Sequence, residues 1–168
     1  MAKRPSEPQW LTRVVVDAIH DDQLREHGGL PGIRDENVLE SALARPQQKW
    51  HYAEKKDVAS LAAAYGFGLV KNHPYRDGNK RIGFLAIVTF LGINGHDLEA
   101  ADSEVIAEML ALASGSVSEE ELADWIRQHG ATRNGRPAAT PGFSRACASN
   151  STASRKVLRR RDRVPDRH

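Results

Sequence analysis

Residues 72–91 read NHPYRDGNKRIGFLAIVTFL. Pro74 biases the residue before it away from helical angles, so the helix preceding this stretch is expected to end near Asn72. After Arg81 nearly every position is apolar or small, which is typical of a helix buried on all sides. The stretch therefore predicts two helices joined by a tight loop, with the second helix, at 79–91, in the centre of the core.

The flanking sequence predicts an all-α fold. Apolar residues recur at helical spacing in five further segments, so we expect six helices in total. Asp35, Asp57 and Ser118 are suited to cap three of these helices, and Gly28 and Gly115 are suited to end two of them. The expected architecture is a compact bundle around the helix at 79–91.

Pro46 interrupts this pattern. Proline lacks the amide proton that a helix interior needs, so the second helix is expected to stop there. The stretch 45–56 contains Trp50 and Tyr52 and is predicted to form a short β-hairpin, with a plain surface loop as the alternative. No other segment shows convincing strand alternation.

Charge and composition divide the chain after Gly130. Residues 131–168 hold ten Lys and Arg against two Asp, a net charge of +8, whereas residues 1–130 hold fourteen against twenty, a net charge of −6. The region at 131–168 has too few large apolar residues to offset the entropy of ordering, so it is predicted to be a disordered basic tail. We thus expect a flexible N-terminus (1–9), one domain (10–130) and this tail.

Several classes of protein are excluded by what the sequence lacks. No stretch approaches the roughly 18 apolar residues of a membrane span, and the polar residues 1–9 do not resemble a signal peptide, so a cytoplasmic protein is expected. Cys147 stands alone, which excludes a disulfide framework and a cysteine zinc site. A GxxxxGK[ST] phosphate loop is absent, which excludes an ordinary ATPase site.

The loop before the central helix carries an anion-binding pattern. Gly78 can take a positive φ at the helix N-terminus, leaving the free amides near Asn79 directed outward as a cradle for phosphate. Lys80 and Arg81 add positive charge. Cations oppose the helix dipole at this end, so a bound anion is the expected reason for them.

Two residues of the same loop are suited to chemistry on phosphate. Asp77 is a hard oxygen ligand for Mg²⁺, and His73 can serve as a general base. Alone, each feature of the loop is more often structural: a turn, a helix end or a solvated charge. Together within nine residues they indicate phosphoryl or nucleotidyl transfer to a hydroxyl, with a di- or triphosphate and Mg²⁺ as the expected ligands.

The sequence HPYRDGNKR at 73–81 resembles the signature of the Fic/Doc family. The resemblance covers 10–129 through GGLPGIRDE at 28–36, ESALARP at 40–46 and FLGING at 90–95, and it is closest to the death-on-curing branch. It implies a Fic/Doc-like bundle. It also places 45–56 where the family carries a flap that holds a target segment by strand addition.

The resemblance assigns roles to individual residues. His73 resembles the base, Asp77 the metal ligand and Asn79 the residue that orients the phosphates. The amides after Gly78 resemble the family's anion hole, and Arg81 resembles its phosphate-binding arginine. Tyr75 stands where Phe is commoner, and its ring can pack in the core if the hydroxyl reaches a partner.

The residue at position 80 favours one of two reactions. Family members that transfer AMP usually have Gly at this position, and the Lys form resembles death-on-curing toxins, which phosphorylate a hydroxyl of a translation elongation factor. The resemblance therefore implies a protein kinase that uses ATP, acts on Ser or Thr and inhibits translation, with AMP transfer as the alternative. The built-in inhibitory Ser/Thr-x-x-x-Glu-Gly/Asn stretch of many relatives is absent, which implies restraint by a small antitoxin protein.

Two other readings remain. The basic tail, above all 155–167, could bind nucleic acid by counterion release, which would make the chain a non-catalytic binder. The chain could also be a degenerate toxin. Every signature position expected to touch phosphate or metal is present, which favours the enzyme.

Overall fold

The computed structural model describes residues 6–54 and 57–132. The helices are α1 (Arg13–His27), α2 (Glu36–Tyr52), α3 (Val58–Asn72), α4 (Asn79–Ile93), α5 (Asp102–Ser114) and α6 (Glu119–His129). Two short strands, β1 (His96–Leu98) and β2 (Gly130–Thr132), complete the described part. The predicted all-α fold with six helices is confirmed. None of these helices is long and apolar enough to cross a membrane.

The centre of the core is the packed pair α3 and α4. Ile82, Ile87 and Phe90 of α4 are completely buried, as expected for a helix that is apolar on all sides. Small residues bring the two helices together: a Cβ atom on Gly66 of α3 would lie 2.5 Å from the Cδ1 atom of Ile87. Helices α2, α5 and α6 pack around α3, and α1 and α5 pack against α4.

The predicted helix caps are confirmed. The Asp35 carboxylate accepts a hydrogen bond from the Val38 amide at 3.1 Å, and Asp57 likewise accepts from the first amides of α3. Ser118 and Glu121 bond each other's amides at the start of α6. These side chains satisfy amides that a helix leaves without an internal partner.

The prediction that Pro46 ends the second helix is wrong, and so is the predicted hairpin. Helix α2 continues through the buried Pro46 to Tyr52, so 45–52 is helical, and residues 55–56 lie outside the described residues. The later turns are held by tertiary contacts: Trp50 is buried against Trp10, with ring centroids 6.4 Å apart. Those contacts outweigh the hydrogen bond that proline removes.

Strands β1 and β2 form a small antiparallel sheet that the sequence analysis did not predict. His96 pairs with Thr132, and Leu98 pairs with Gly130. Strand β2 thus lies two residues past the expected boundary at 130, and the rest of the predicted tail, 133–168, lies outside the described residues. Within the segment predicted to be flexible, Gln9 exchanges two hydrogen bonds with the side chain of Asn94.

Candidate active site

The loop between α3 and α4 is anchored by its buried residues. Pro74 and Tyr75 are buried, whereas His73 is exposed. The Tyr75 hydroxyl donates to Asp17 of α1 at 2.6 Å, so the expected partner exists. Burial and this carboxylate raise the pKa of the Tyr75 hydroxyl well above its usual range. The tyrosine therefore ties the loop to α1 in its neutral form.

Asn79 braces the loop from the other side. Its side chain is buried, its Oδ1 atom accepts from the Tyr75 amide at 3.0 Å and its Nδ2 atom donates to the Tyr75 carbonyl at 2.9 Å. Both polar atoms of the carboxamide are thus engaged by the main chain of the loop. The expected role of Asn79 in orienting phosphates stays a prediction, and the contacts observed are those of a loop brace.

The segment after α1 lies alongside the loop. The Arg34 amide donates to the Pro74 carbonyl at 2.7 Å, and the Arg76 amide donates to the Gly32 carbonyl at 3.1 Å. The Arg34 guanidinium also bonds the carbonyls of His73 and Asn72, each at 2.8 Å. A positive group at this helix end satisfies carbonyls that α3 leaves free and favours its dipole.

The Asp77 carboxylate is held by two backbone amides. Oδ1 accepts from Gly78 at 2.7 Å and Oδ2 accepts from Leu30 at 3.3 Å. The Gly78 amide, followed by the Leu30 amide, holds the pKa of the Asp77 carboxyl below its usual range, so this group is ionised at neutral pH. Gly29 makes room for it, since a Cβ atom there would lie 2.7 Å from Oδ2.

This carboxylate fits a magnesium ion that is shared with phosphate. The described residues contain no group of three or more His, Cys, Asp or Glu side chains that could hold a metal ion by themselves. Mg²⁺ is commonly bound through one or two carboxylates together with phosphate oxygens and water. Asp77 supplies the ionised oxygen donor that such a shared site needs from the protein.

The N-terminus of α4 faces the loop with positive groups. Gly78 adopts φ 79° and ψ 9°, a left-handed conformation that places it as the cap of α4. Lys80 is exposed, Arg81 is half-buried, and the first turn carries no acidic residue. The positive end of the α4 dipole and the side chains of Lys80 and Arg81 thus lie in the same place, which suits a bound anion.

His73 has strained backbone angles. It caps the C-terminus of α3 at φ 47° and ψ 58°, and it is the only non-glycine residue with positive φ among those described. Such conformations cluster at functional sites, where the surrounding structure holds them in place. The strained angle thus singles out His73 within the loop.

The structure places the six predicted site residues in one loop and the first turn of α4. The loop holds His73, Asp77 and Gly78, and the helix begins with Asn79, Lys80 and Arg81.

Three residues around the loop were missed by the sequence analysis. His20 is 3% exposed and its ring stacks on Tyr75, while Asp17 and Arg34 hold the loop by the contacts described above. The position of His20 on the apolar face of α1, four residues after Val16, was the available signal. The roles of Asp17 and Arg34 depend on contacts across 58 and 39 residues, which a linear pattern does not display.

The fold and the site define a helical protein with a glycine-capped loop and positive side chains at the N-terminus of its central helix. Residues 10–91 match a family model described as Fic/DOC family. The chain is 31% identical over 112 residues to "Protein kinase doc" of Escherichia phage P1, covering 66% of this chain and 87% of that protein. The chain belongs to the Fic/DOC family.

A second relative is also a Doc protein. The chain is 42% identical over 79 residues to "Toxin Doc" of Mycolicibacterium smegmatis, covering 46% of this chain and 60% of that protein. Both similarities are to Doc-type proteins, as the resemblance in 73–81 implied.

Proposed function

We propose that the chain is a Doc-type toxin that transfers a phosphoryl group from ATP to a Ser or Thr hydroxyl of a protein. The observation that carries the proposal is the exposed Lys80 in the first turn of α4, next to Arg81 and the free amides after Gly78. A lysine side chain there fills space beside the anion site and adds a charge that suits a terminal phosphate. The name of the phage P1 relative, a protein kinase, is consistent with this reaction.

Each residue of the loop has its own role in the proposed reaction. His73 accepts the proton of the target hydroxyl, whose oxygen forms a bond to the γ-phosphorus while the bond to ADP breaks and ADP leaves with the electron pair. Lys80, Arg81 and the helix amides neutralise charge on the phosphates. Asp77 would hold Mg²⁺, which when bound neutralises charge on the phosphate oxygens.

Isotope position in ATP tests this reaction. Purified protein is incubated with Mg²⁺, bacterial lysate proteins and ATP labelled either at the γ or at the α phosphorus. We expect label on protein only from the γ position, lost in His73→Ala and in Asp77→Asn, with peptide mass spectrometry locating a phosphorylated Ser or Thr. Label from the α position would overturn the kinase proposal in favour of AMP transfer.

A matched variant isolates the lysine. In Lys80→Gly the side chain is removed while His73 and Asp77 remain. If Lys80 determines the reaction, this variant loses transfer of the γ label, and any transfer that remains comes from the α position. Unchanged γ transfer by Lys80→Gly would show that another feature selects the kinase reaction.

The biological role is a proposal of the same kind. A translation elongation factor is the target class we propose, which requires the cytoplasm as the site of action, and a small antitoxin is the proposed restraint. The relative named "Toxin Doc" supports the toxin role and, with it, the antitoxin. Induced expression should arrest growth and protein synthesis with the wild-type chain and not with His73→Ala. A library of small open reading frames from the same genome should then yield one that restores growth.

A further inference from the structure

The peptide between Asp77 and Gly78 is held from both of its polar ends. On one side, the Nε2 atom of His20 lies 2.9 Å from the Asp77 carbonyl oxygen. A carbonyl can only accept, so the imidazole donates from Nε2. On the other side, the Gly78 amide of the same peptide donates to the Oδ1 atom of Asp77 at 2.7 Å.

These two hydrogen bonds are linked by the planarity of the peptide. In a trans peptide the carbonyl oxygen and the amide hydrogen point in opposite directions, so fixing one fixes the other. A carbonyl drawn towards α1 by His20 therefore turns the Gly78 amide outward to the Asp77 carboxylate. The second carboxylate oxygen is then in place to accept from Leu30 at 3.3 Å.

The peptide needs an external hold because of the glycine that follows it. Gly78 has φ 79°, and glycine adopts positive and negative φ with similar ease, so the preceding peptide can rotate at low cost. His20 is the donor that the described residues provide to the Asp77 carbonyl. Its ring is itself fixed, since it is 3% exposed and stacks on Tyr75 with centroids 4.0 Å apart.

We propose that His20 is a positioning residue that fixes the orientation of the Asp77–Gly78 peptide, and through it the Asp77 carboxylate and the first amides of α4. The geometry carries the orienting role by itself. The consequence for catalysis rests on the proposed function, because it needs Asp77 to hold Mg²⁺ and the amides to hold phosphate. His20 then acts on the reaction only through these groups.

Two variants separate the hydrogen bond from the packing of the ring. His20→Phe keeps an aromatic ring against Tyr75 and removes the donor, whereas His20→Gln keeps an N–H donor and removes the ring. Backbone amide hydrogen exchange, followed by NMR in the full chain, reports on the site without any ligand. We expect roughly tenfold faster exchange at Gly78 and Leu30 in His20→Phe, and near wild-type exchange in His20→Gln.

Two amides serve as internal controls. The Arg34 amide, bonded to Pro74 at 2.7 Å, and the Ser60 amide, bonded to the cap residue Asp57 at 3.3 Å, should exchange at wild-type rates in both variants. Unchanged exchange at Gly78 in His20→Phe would overturn the proposal. Equal acceleration at Gly78 and Ser60 would also overturn it, because that pattern indicates a general loss of stability.

The link to the reaction has its own measurement. The dissociation constant of ATP is compared in Mg²⁺ and in EDTA for the same proteins. The tightening by Mg²⁺ should be roughly tenfold smaller in His20→Phe than in wild type, and restored in His20→Gln. Exchange results as expected with no binding of ATP by the wild type would leave the role of His20 standing and overturn the proposed function.

Discussion

At the scale of single residues, His73 shows a conflict between stability and function. A left-handed conformation costs a non-glycine residue about 1 kcal/mol or more, and His73 bears this cost with an exposed side chain. The imidazole is what the proposed reaction needs, and the backbone angle is what places it at the entrance of the loop.

A pair of substitutions measures this cost. His73→Gly relieves the strained angle and His73→Ala retains it, and both remove the imidazole. We expect the glycine variant to be more stable than the alanine variant by about 1 kcal/mol, measured by urea unfolding, and both to lack transfer activity. Equal stability would mean that the angle stores no strain.

The residues of the candidate site could be selected from the sequence at this scale, and the contacts that hold them in place could not. His73, Asp77 and Lys80 are close together along the chain, so their combination is visible in a short motif. His20 is 57 residues from the carbonyl that it bonds. A histidine on the apolar face of a helix has no visible partner until the helix is packed.

At the scale of elements, the spacing of α3 and α4 depends on glycines. A Cβ atom on Gly83 of α4 would clash with a methyl group of Val70, which is completely buried on α3. We expect Gly83→Ala to lower the free energy of unfolding by about 1 to 3 kcal/mol, because it forces the helices apart or their side chains off their rotamers.

A double substitution tests that explanation. Val70→Ala removes the methyl group in the way and is itself destabilising. In the Gly83→Ala/Val70→Ala protein the two losses should not add, and the free energies of unfolding should reveal favourable coupling. Strict additivity would mean that the loss in Gly83→Ala arises elsewhere.

Helix α2 is joined to α6 by ion pairs on both sides of its proline. Glu119 of α6, whose side chain is 14% exposed, bonds Lys49 at 2.7 Å and also pairs with Arg45. We expect Glu119→Gln to lower stability by about 1 kcal/mol, and the loss should shrink at high salt. Glu120→Gln is the matched control, since this neighbour is 66% exposed and contacts Arg127 only at 3.4 Å. A similar loss in both variants would contradict the proposed importance of Glu119.

The elements that were predicted correctly are those with local causes. Asp35 and Asp57 cap helices through amides two or three residues away, so the signal and its effect lie in one stretch of sequence. Pro46 was misread because its helix is held by Trp50 and by α6, which are contacts of the folded chain. The three-residue strands β1 and β2 are too short to show alternation.

At the scale of the whole molecule, two buried tyrosines link stability to alkaline pH. Burial raises the pKa of Tyr65 to about 12, and burial with Asp17 raises that of Tyr75 still further. Both hydroxyls have a higher pKa in the folded chain than in the unfolded chain, so their contribution to the free energy of unfolding is complete below pH 10. It is lost as the pH rises above 10, because the unfolded chain releases these protons first.

The expected loss of stability at alkaline pH follows from the shift in the pKa of Tyr65. For Tyr65 the loss between pH 10 and 12 is about 2 to 3 kcal/mol, measured by urea unfolding across this range. The Tyr65→Phe/Tyr75→Phe protein, which cannot titrate at these positions, should show a flatter profile. An equally steep profile in that protein would assign the alkaline loss to other groups.

The bundle as a whole was predictable because its central helix is apolar on all sides and its neighbours are amphipathic. The spacing of apolar residues does not reveal which helices and loops contact each other. The loop 73–78 is completed by Asp17 and His20 of α1 and by the stretch 29–34, all of them far away along the chain.

Those distances have a consequence for how the protein is made. The hydrogen bonds that shape the loop join residues 39 to 58 positions apart, and long-range contacts form slowly because a large loop of chain must close first. Synthesis proceeds at about 5 to 20 residues per second, so the ribosome needs several seconds to make the stretch between α1 and α4. In a nascent chain, HPYRDGNKR therefore lacks its folded conformation until α1, α3 and α4 have all been synthesised. A fragment that begins after α1 lacks the contacts from Asp17 and His20 and should not adopt this conformation.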